Sequence, residues 1–130
     1  VDVDRNSGQI KVNRVVCAQD MGQVVNPAGA TIQMEGCIAM GLGYVLTEAQ
    51  RFRGGEILDL NFYSYQLPLF SDMPKIETIL IDSADPDPHG GGEPAIINMG
   101  AVIANAVFDA VGVRIFELPI TPKRMKAALA

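Results

Sequence analysis

Asn26-Pro27 opens a run that meets no further proline until Pro68. An asparagine side chain can accept from the free N–H groups of a first helical turn, and proline suits the first helical position, where its missing N–H costs nothing. The pattern predicts a helix from about Pro27 to Ala49. Ile38, Leu42, Val45 and Ala49 follow helical spacing on one face, while Gln33, Gly36, Met40 and Gly43 fall along a second stripe. Glycine within a helix costs about 1 kcal/mol relative to alanine. Gly36, Gly41 and Gly43 therefore require compensation, most simply the close approach of another backbone or of a ligand. Gln33 lies at the mouth of this smooth stripe. Glu35, about 200° further around, cannot face the same ligand.

The flanking segments alternate between strand and helix signals. Val1 and Val3, then Ile10, Val12, Val15 and Val16, flank the turn-forming Asn6-Ser7-Gly8, which reads as a β-hairpin. Gly54-Gly55 marks a turn returning as a short strand near Ile57 and Leu58, and Tyr63 to Phe70 carries no clear period. Ile76, Ile79, Leu80 and Ile81 predict an interior strand that stops at Asp85-Pro86-Asp87-Pro88. Asn98 is placed to cap a helix with a core face of Val102, Ile103, Ala106, Val107 and Ala110, ended by Gly112. A strand is expected from Val113 to Leu118, and Thr121-Pro122 repeats the cap-plus-proline signature before a helix with a basic side. This order predicts an α+β fold, a mixed sheet with helices packed on one side.

The totals allow one domain, since 130 residues support a single core. With 48% hydrophobic residues and 19% charged, the chain is expected to fold. A formal charge of −5 and scattered basic residues argue against nucleic acid as a partner. No apolar run approaches the roughly 20 residues needed to cross a bilayer. The N-terminus lacks a signal-peptide pattern and opens as if in mid-strand, so the chain reads as a piece of a longer polypeptide. Compartment is therefore not legible. Cys17 and Cys37 have no CxxC partner and are expected as buried free thiols.

The segment HGGGEP, residues 89 to 94, raises a chemical question. Pro94 is expected to hold Glu93 at extended backbone angles, and Gly90, Gly91 and Gly92 leave the approach to it unobstructed. Such a carboxylate can accept a proton, ligate a metal, or merely favour the positive end of the following helix. Phosphate cradling fits poorly, because Walker spacing and its lysine are absent and Asp85, Asp87 and Glu93 would repel an anion. His89 could assist Glu93, though an exposed loop residue is the plainer reading. A metal site built from Asp85, Asp87 and His89 is disfavoured by the alternating prolines, which stiffen the ligand spacing.

Five ordered blocks carry a wider likeness: VDVDRNSGQIKVNRVVCAQDMGQVVNP, QMEGCIAMGLGYVLTEA, LPLFSDMPKIETILID, GGGEP, and VIANAVFDAVGVRI with ELPITPKRM. Together they resemble the C-terminal part of the molybdenum-binding large subunit of the xanthine oxidase and aldehyde oxidase family. Within it they are most similar to large subunits typified by isoquinoline 1-oxidoreductase. The family loop usually has Val or Ala where Gly91 stands, and often Pro or Gly where Ala95 stands.

The resemblance implies a molybdenum-cofactor-binding-domain-like fold and a hydroxylase acting on an N-heteroaromatic or aldehyde carbon with water-derived oxygen. It makes Glu93 the base and assigns Gln33, Gly91 and Gly92 to the molybdenum cofactor (molybdopterin), with no metal ligand from this chain. It further implies iron–sulfur clusters in a partner subunit or domain, and partnership with the remainder of the large subunit. As a C-terminal fragment the chain is expected to be inactive alone. The competing expectation is a noncatalytic assembly domain whose glycine stripe and open loop pack against the rest of the subunit.

Overall fold

A computed structural model describes all residues, 1–130. The chain runs β1 (Asp2–Val3), β2 (Ile10–Lys11), β3 (Arg14–Gln19), α1 (Pro27–Leu46), β4 (Phe52–Arg53), β5 (Glu56–Ile57), β6 (Lys75–Leu80), α2 (Pro94–Ile97), α3 (Met99–Val111) and α4 (Pro122–Leu129). The α+β class holds, with both antiparallel and parallel pairing. The strands form three two-stranded ladders: β1 with β2, β3 with β6, and β4 with β5. The β3–β6 ladder is parallel and runs from Arg14↔Lys75 to Gln19↔Leu80.

Helix α1 begins as its sequence predicts. The Asn26 side chain accepts from the Gly29 N–H at 3.0 Å, and Pro27 occupies the first turn. It stops at Leu46, short of Ala49, where the Thr47 and Glu48 N–H groups both turn back to the Gly43 carbonyl. The apolar face of α1 supplies Ile38, Leu42 and Val45 to a core shared with Val12, Met99, Ile103, Val107, Ile120 and Met125. A smaller cluster of Met34, Cys37 and Ala95 lies nearer the N-terminal half of α1. Both thiols are free; Cys37 is buried, while Cys17 is half-buried against this smaller cluster, and that burial pushes its thiol pKa up.

Five expectations need correction. The N-terminal hairpin ends at Lys11, and Val15 and Val16 belong to β3, whose backbone is taken by β6. Residues Val113 to Leu118 form no strand, because no ladder partner meets them. Instead Arg114 stacks 3.8 Å over the Phe108 ring and donates to Asn105 Oδ1 at 2.8 Å, drawing the segment onto α3. Asn98 makes no side-chain cap, since helical structure already starts at Pro94 and only breaks at Asn98. The stretch Pro94–Val111 is also long and apolar enough, by length and composition, to cross a membrane. In the fold Met99, Ile103 and Val107 enter the core, whereas Val102 and Ala110, expected inside, are exposed.

Two carboxylates, Asp59 and Glu77, carry ion pairs at the polar periphery. Arg51 donates through its guanidinium and its backbone N–H to Asp59, whose side chain is enclosed, and this lowers the Asp59 pKa to about 2. Arg14, with Lys75, does the same for Glu77 across the β3–β6 ladder, again to about 2. Depressed carboxylate pKa values stabilise the fold above the unfolded-state value of roughly 4, and that stabilisation is lost as pH falls toward 2. Denaturant titrations between pH 6 and 2.5 should therefore show stability falling mainly below about pH 4. In Arg51→Met the slope should be shallower than in the parent chain.

Candidate functional site

The site lies where α1, the end of β3 and the glycine loop meet. The loop is fastened to residues 21–23 at its base: the His89 N–H donates to the Met21 carbonyl at 2.8 Å, and the Gln23 N–H donates to the Asp87 carbonyl at 3.3 Å. Gly22 makes this pairing possible. It has φ of +64°, and a Cβ there would stand 1.9 Å from the Asp87 carbonyl oxygen. A side chain would meet both backbone strain and a collision.

Beyond this anchor, α1 takes hold of the loop. Gln33 Nε2 donates to the Gly92 carbonyl at 2.7 Å, and Cys37 Sγ donates to the same oxygen at 3.1 Å. The two side chains are one helical turn apart, which puts them on one face of α1. Gln19, at the last position of β3, donates through Nε2 to the Gly91 carbonyl at 3.5 Å. Gln19 is only 5% exposed, and its Oε1 has no hydrogen-bond partner. On the other side, the Tyr44 hydroxyl donates to the Ile96 carbonyl at 2.9 Å and accepts from the Gly100 N–H at 3.0 Å. It thereby ties α1 to the break between α2 and α3.

Glu93 stands at the head of α2, and its backbone differs from expectation. With φ −119° and ψ −17° it leaves the extended region that a following proline favours, because its carbonyl already accepts from the Ile96 N–H at 2.9 Å. Its exposed carboxylate makes no capping bond and no ion pair within the chain. The acid is not consumed by the fold.

None of Gly90, Gly91 and Gly92 has positive φ, so backbone conformation does not require glycine at these positions. Space distinguishes them. A Cβ on Gly90 or Gly92 would meet nothing within 4 Å, whereas one on Gly91 would touch Met21 at 3.1 Å. The helix stripe divides similarly. Gly41 lies against Met99 and Gly43 against Glu48 and Pro68, but Gly36, like exposed Gln33, faces open space.

Other candidates lie apart from Glu93 in their bonding. His89 Nε2 pairs with Asp85 Oδ2 at 2.9 Å on the exposed loop, and this hydrogen bond lowers the Asp85 pKa. No group of three His, Cys, Asp or Glu side chains converges in a way that could hold a metal ion. A concavity of about 470 Å³ beside the N-terminal hairpin is lined by Asp2, Asp4, Lys11, Leu42 and Leu46, at the opposite end of α1 from Gln33. The residues that sequence reasoning missed are Gln19, Cys37 and Tyr44. Only Cys37 carried a signal, its spacing of four from Gln33.

Residues 1–74 match the family described as "Molybdopterin cofactor-binding domain". The chain belongs to that family. It is 38% identical over 129 residues to one of the subunits of nicotinate dehydrogenase from Pseudomonas putida, covering 99% of this chain and 11% of that protein. It is 32% identical over 122 residues to the beta subunit of isoquinoline 1-oxidoreductase from Brevundimonas diminuta, covering 94% and 16%. Among solved structures it is similar to quinoline 2-oxidoreductase from Pseudomonas putida 86, with a TM-score of 0.88 and 28% identity over 98% of this chain and 17% of that one. Aldehyde oxidoreductase from Desulfovibrio gigas gives 0.87 and 28%, over 98% and 14%. The chain thus spans under a fifth of the length of each of these relatives.

The residues present fit a molybdopterin-type group. Gly36, Gly90 and Gly92 offer backbone with open space above it, and the exposed Gln33 brings an amide group beside Gly92. The loop geometry makes two glycines respond differently. Gly22→Ala should cost about 2–4 kcal/mol through left-handed strain and collision. Gly91→Ala should stay within about 1 kcal/mol, since only the flexible end of Met21 must yield. Chemical denaturation of the two variants checks both.

Proposed function

We propose that this domain forms part of a molybdenum hydroxylase acting on an N-heteroaromatic or aldehyde carbon, with Glu93 as the catalytic base. The supporting observation is the pairing of a held backbone with a free acid. The Gly92 carbonyl is fixed by Gln33 at 2.7 Å, while the next residue's carboxylate is left without a partner. When bound, the molybdenum cofactor supplies the two-electron oxidation and an oxygen atom drawn ultimately from water.

Within that scheme Glu93 takes up a proton on a carboxylate oxygen, and its exposed position on a glycine stem leaves the path to it unobstructed. Gln33 holds the cofactor with the part of its amide not spent on Gly92; Gly92 presents backbone with open space above it, and Gly91, which the resemblance assigns to the cofactor as well, adjoins it. The remainder of the large subunit and an iron–sulfur subunit or domain complete the enzyme. Phe62, Tyr63, Phe70 and Phe116 stand 79–97% exposed, which suits burial against that remainder. This apolar exposure also favours the second reading, a noncatalytic assembly domain.

Replacing Glu93 by Gln in the complete subunit separates the two readings. A base role predicts turnover reduced by about a hundredfold or more, and an assembly role predicts near-normal turnover. The isolated chain of 130 residues should not hydroxylate an N-heterocycle or aldehyde with an artificial electron acceptor, because most cofactor-binding segments are expected elsewhere in the subunit. Turnover by the isolated chain would overthrow that part of the proposal.

A further inference from the structure

The glycine stem would leave Glu93 loosely placed if nothing else held it. Three consecutive residues without side chains carry the largest backbone freedom available to a chain. Yet the peptide unit joining Gly92 to Glu93 is planar, so fixing its carbonyl oxygen also fixes the direction from which the chain enters Glu93. That oxygen receives two donors from α1, Gln33 Nε2 at 2.7 Å and Cys37 Sγ at 3.1 Å, and the Gln33 amide also lies 3.6 Å from Cys37 Sγ. One residue earlier, the Gly91 carbonyl faces Gln19 Nε2 at 3.5 Å. On the far side Pro94 restricts its own φ and begins α2.

We infer that Cys37 and Gln19 are positioning residues for Glu93, acting through the Gly92 and Gly91 carbonyls. This inference rests on the reading of Glu93 as a base, but the holding itself is independent of that reading. Both residues sit where an apolar side chain would pack as well. Cys37 is 4% exposed among Met34 and Ala95, and Gln19 is 5% exposed with one amide oxygen unpaired. Burying an unpaired amide oxygen is unfavourable, so Gln19 is a costly choice for packing alone. The orientation of its amide is set by chemistry, because turning it over would bring two oxygens together at Gly91. A thiol is a weak donor, but its target here is a carbonyl already drawn toward α1 by Gln33.

The test uses the complete molybdenum-loaded subunit with its partners, and the variants Cys37→Ala, Cys37→Ser and Gln19→Met. Hydrogen exchange of the peptide covering residues 89–97 reads loop mobility directly. Exchange should accelerate about fivefold to tenfold in Cys37→Ala and Gln19→Met, with unchanged molybdenum content and unchanged exchange in α3. In the same two variants kcat should fall by about tenfold with KM within about twofold, and the acidic limb of the pH–rate profile should move. Cys37→Ser keeps a donor and should restore most of both readouts.

Unchanged exchange in the loop for both Cys37→Ala and Gln19→Met would overturn the inference, as would Cys37→Ser behaving like Cys37→Ala. Should Glu93→Gln retain full turnover while the loop still loosens in Cys37→Ala, the base reading fails. The loop clamp then survives as structure, and the positioning role falls with the base.

Discussion

Helix α1 is the constraint on which the remaining architecture rests. Its C-terminal half supplies Ile38, Leu42 and Val45 to the main core, and its middle turns place Met34 and Cys37 under α2. The outer turns of the same helix reach the loop through Gln33 and the α2–α3 break through Tyr44. A rod with 1.5 Å rise per residue thus acts as a ruler. It sets the distance between a packed interior at one end and a polar edge with open glycines at the other. The glycines on it serve two purposes, close packing at Gly41 and Gly43 and open surface at Gly36.

Local chemistry was legible at two of the three helix caps expected from the sequence, the one at Asn98 failing to form. The Asn26 and Thr121 caps form as their side chains dictate, accepting from Gly29 and Arg124. The tight turn at Gly54-Gly55 joins β4 to β5. Failures came where partners are remote. Val15 and Val16 look like a continuation of the hairpin because alternation does not reveal which strand will pair with it, and β6 lies far along the chain. Val113 and Ile115 carry β-branching for burial against the core, not for a ladder. Pro94 hid a helix start, because the residue before it adopts a turn conformation that sequence statistics disfavour.

The candidate site follows the same division. Glu93 and Gln33 were visible as an acid on a glycine stem and an amide beside a smooth helix stripe, and the resemblance to molybdenum hydroxylases selected the same two. The contact of Gln33 with the Gly92 carbonyl was not visible, because it depends on how the loop is fastened at Gly22. Gln19 was silent for a related reason. Its position at the end of a strand reveals nothing until the parallel ladder brings it beside residue 91.

The parallel register of β3 and β6 has a consequence for how the domain comes into being. A parallel pair cannot close through a tight turn, so the chain from Gln19 to Lys75, with α1 inside it, must be gathered before the ladder can zip. Such distant pairings are slow to form relative to helices. The carboxylate-bearing loop, which follows β6 and bonds to Gln19, Gln33 and Cys37, therefore has its final shape only where that ladder and α1 are both in place. A chain ending before β6 lacks both the ladder partner of β3 and the loop that carries Glu93.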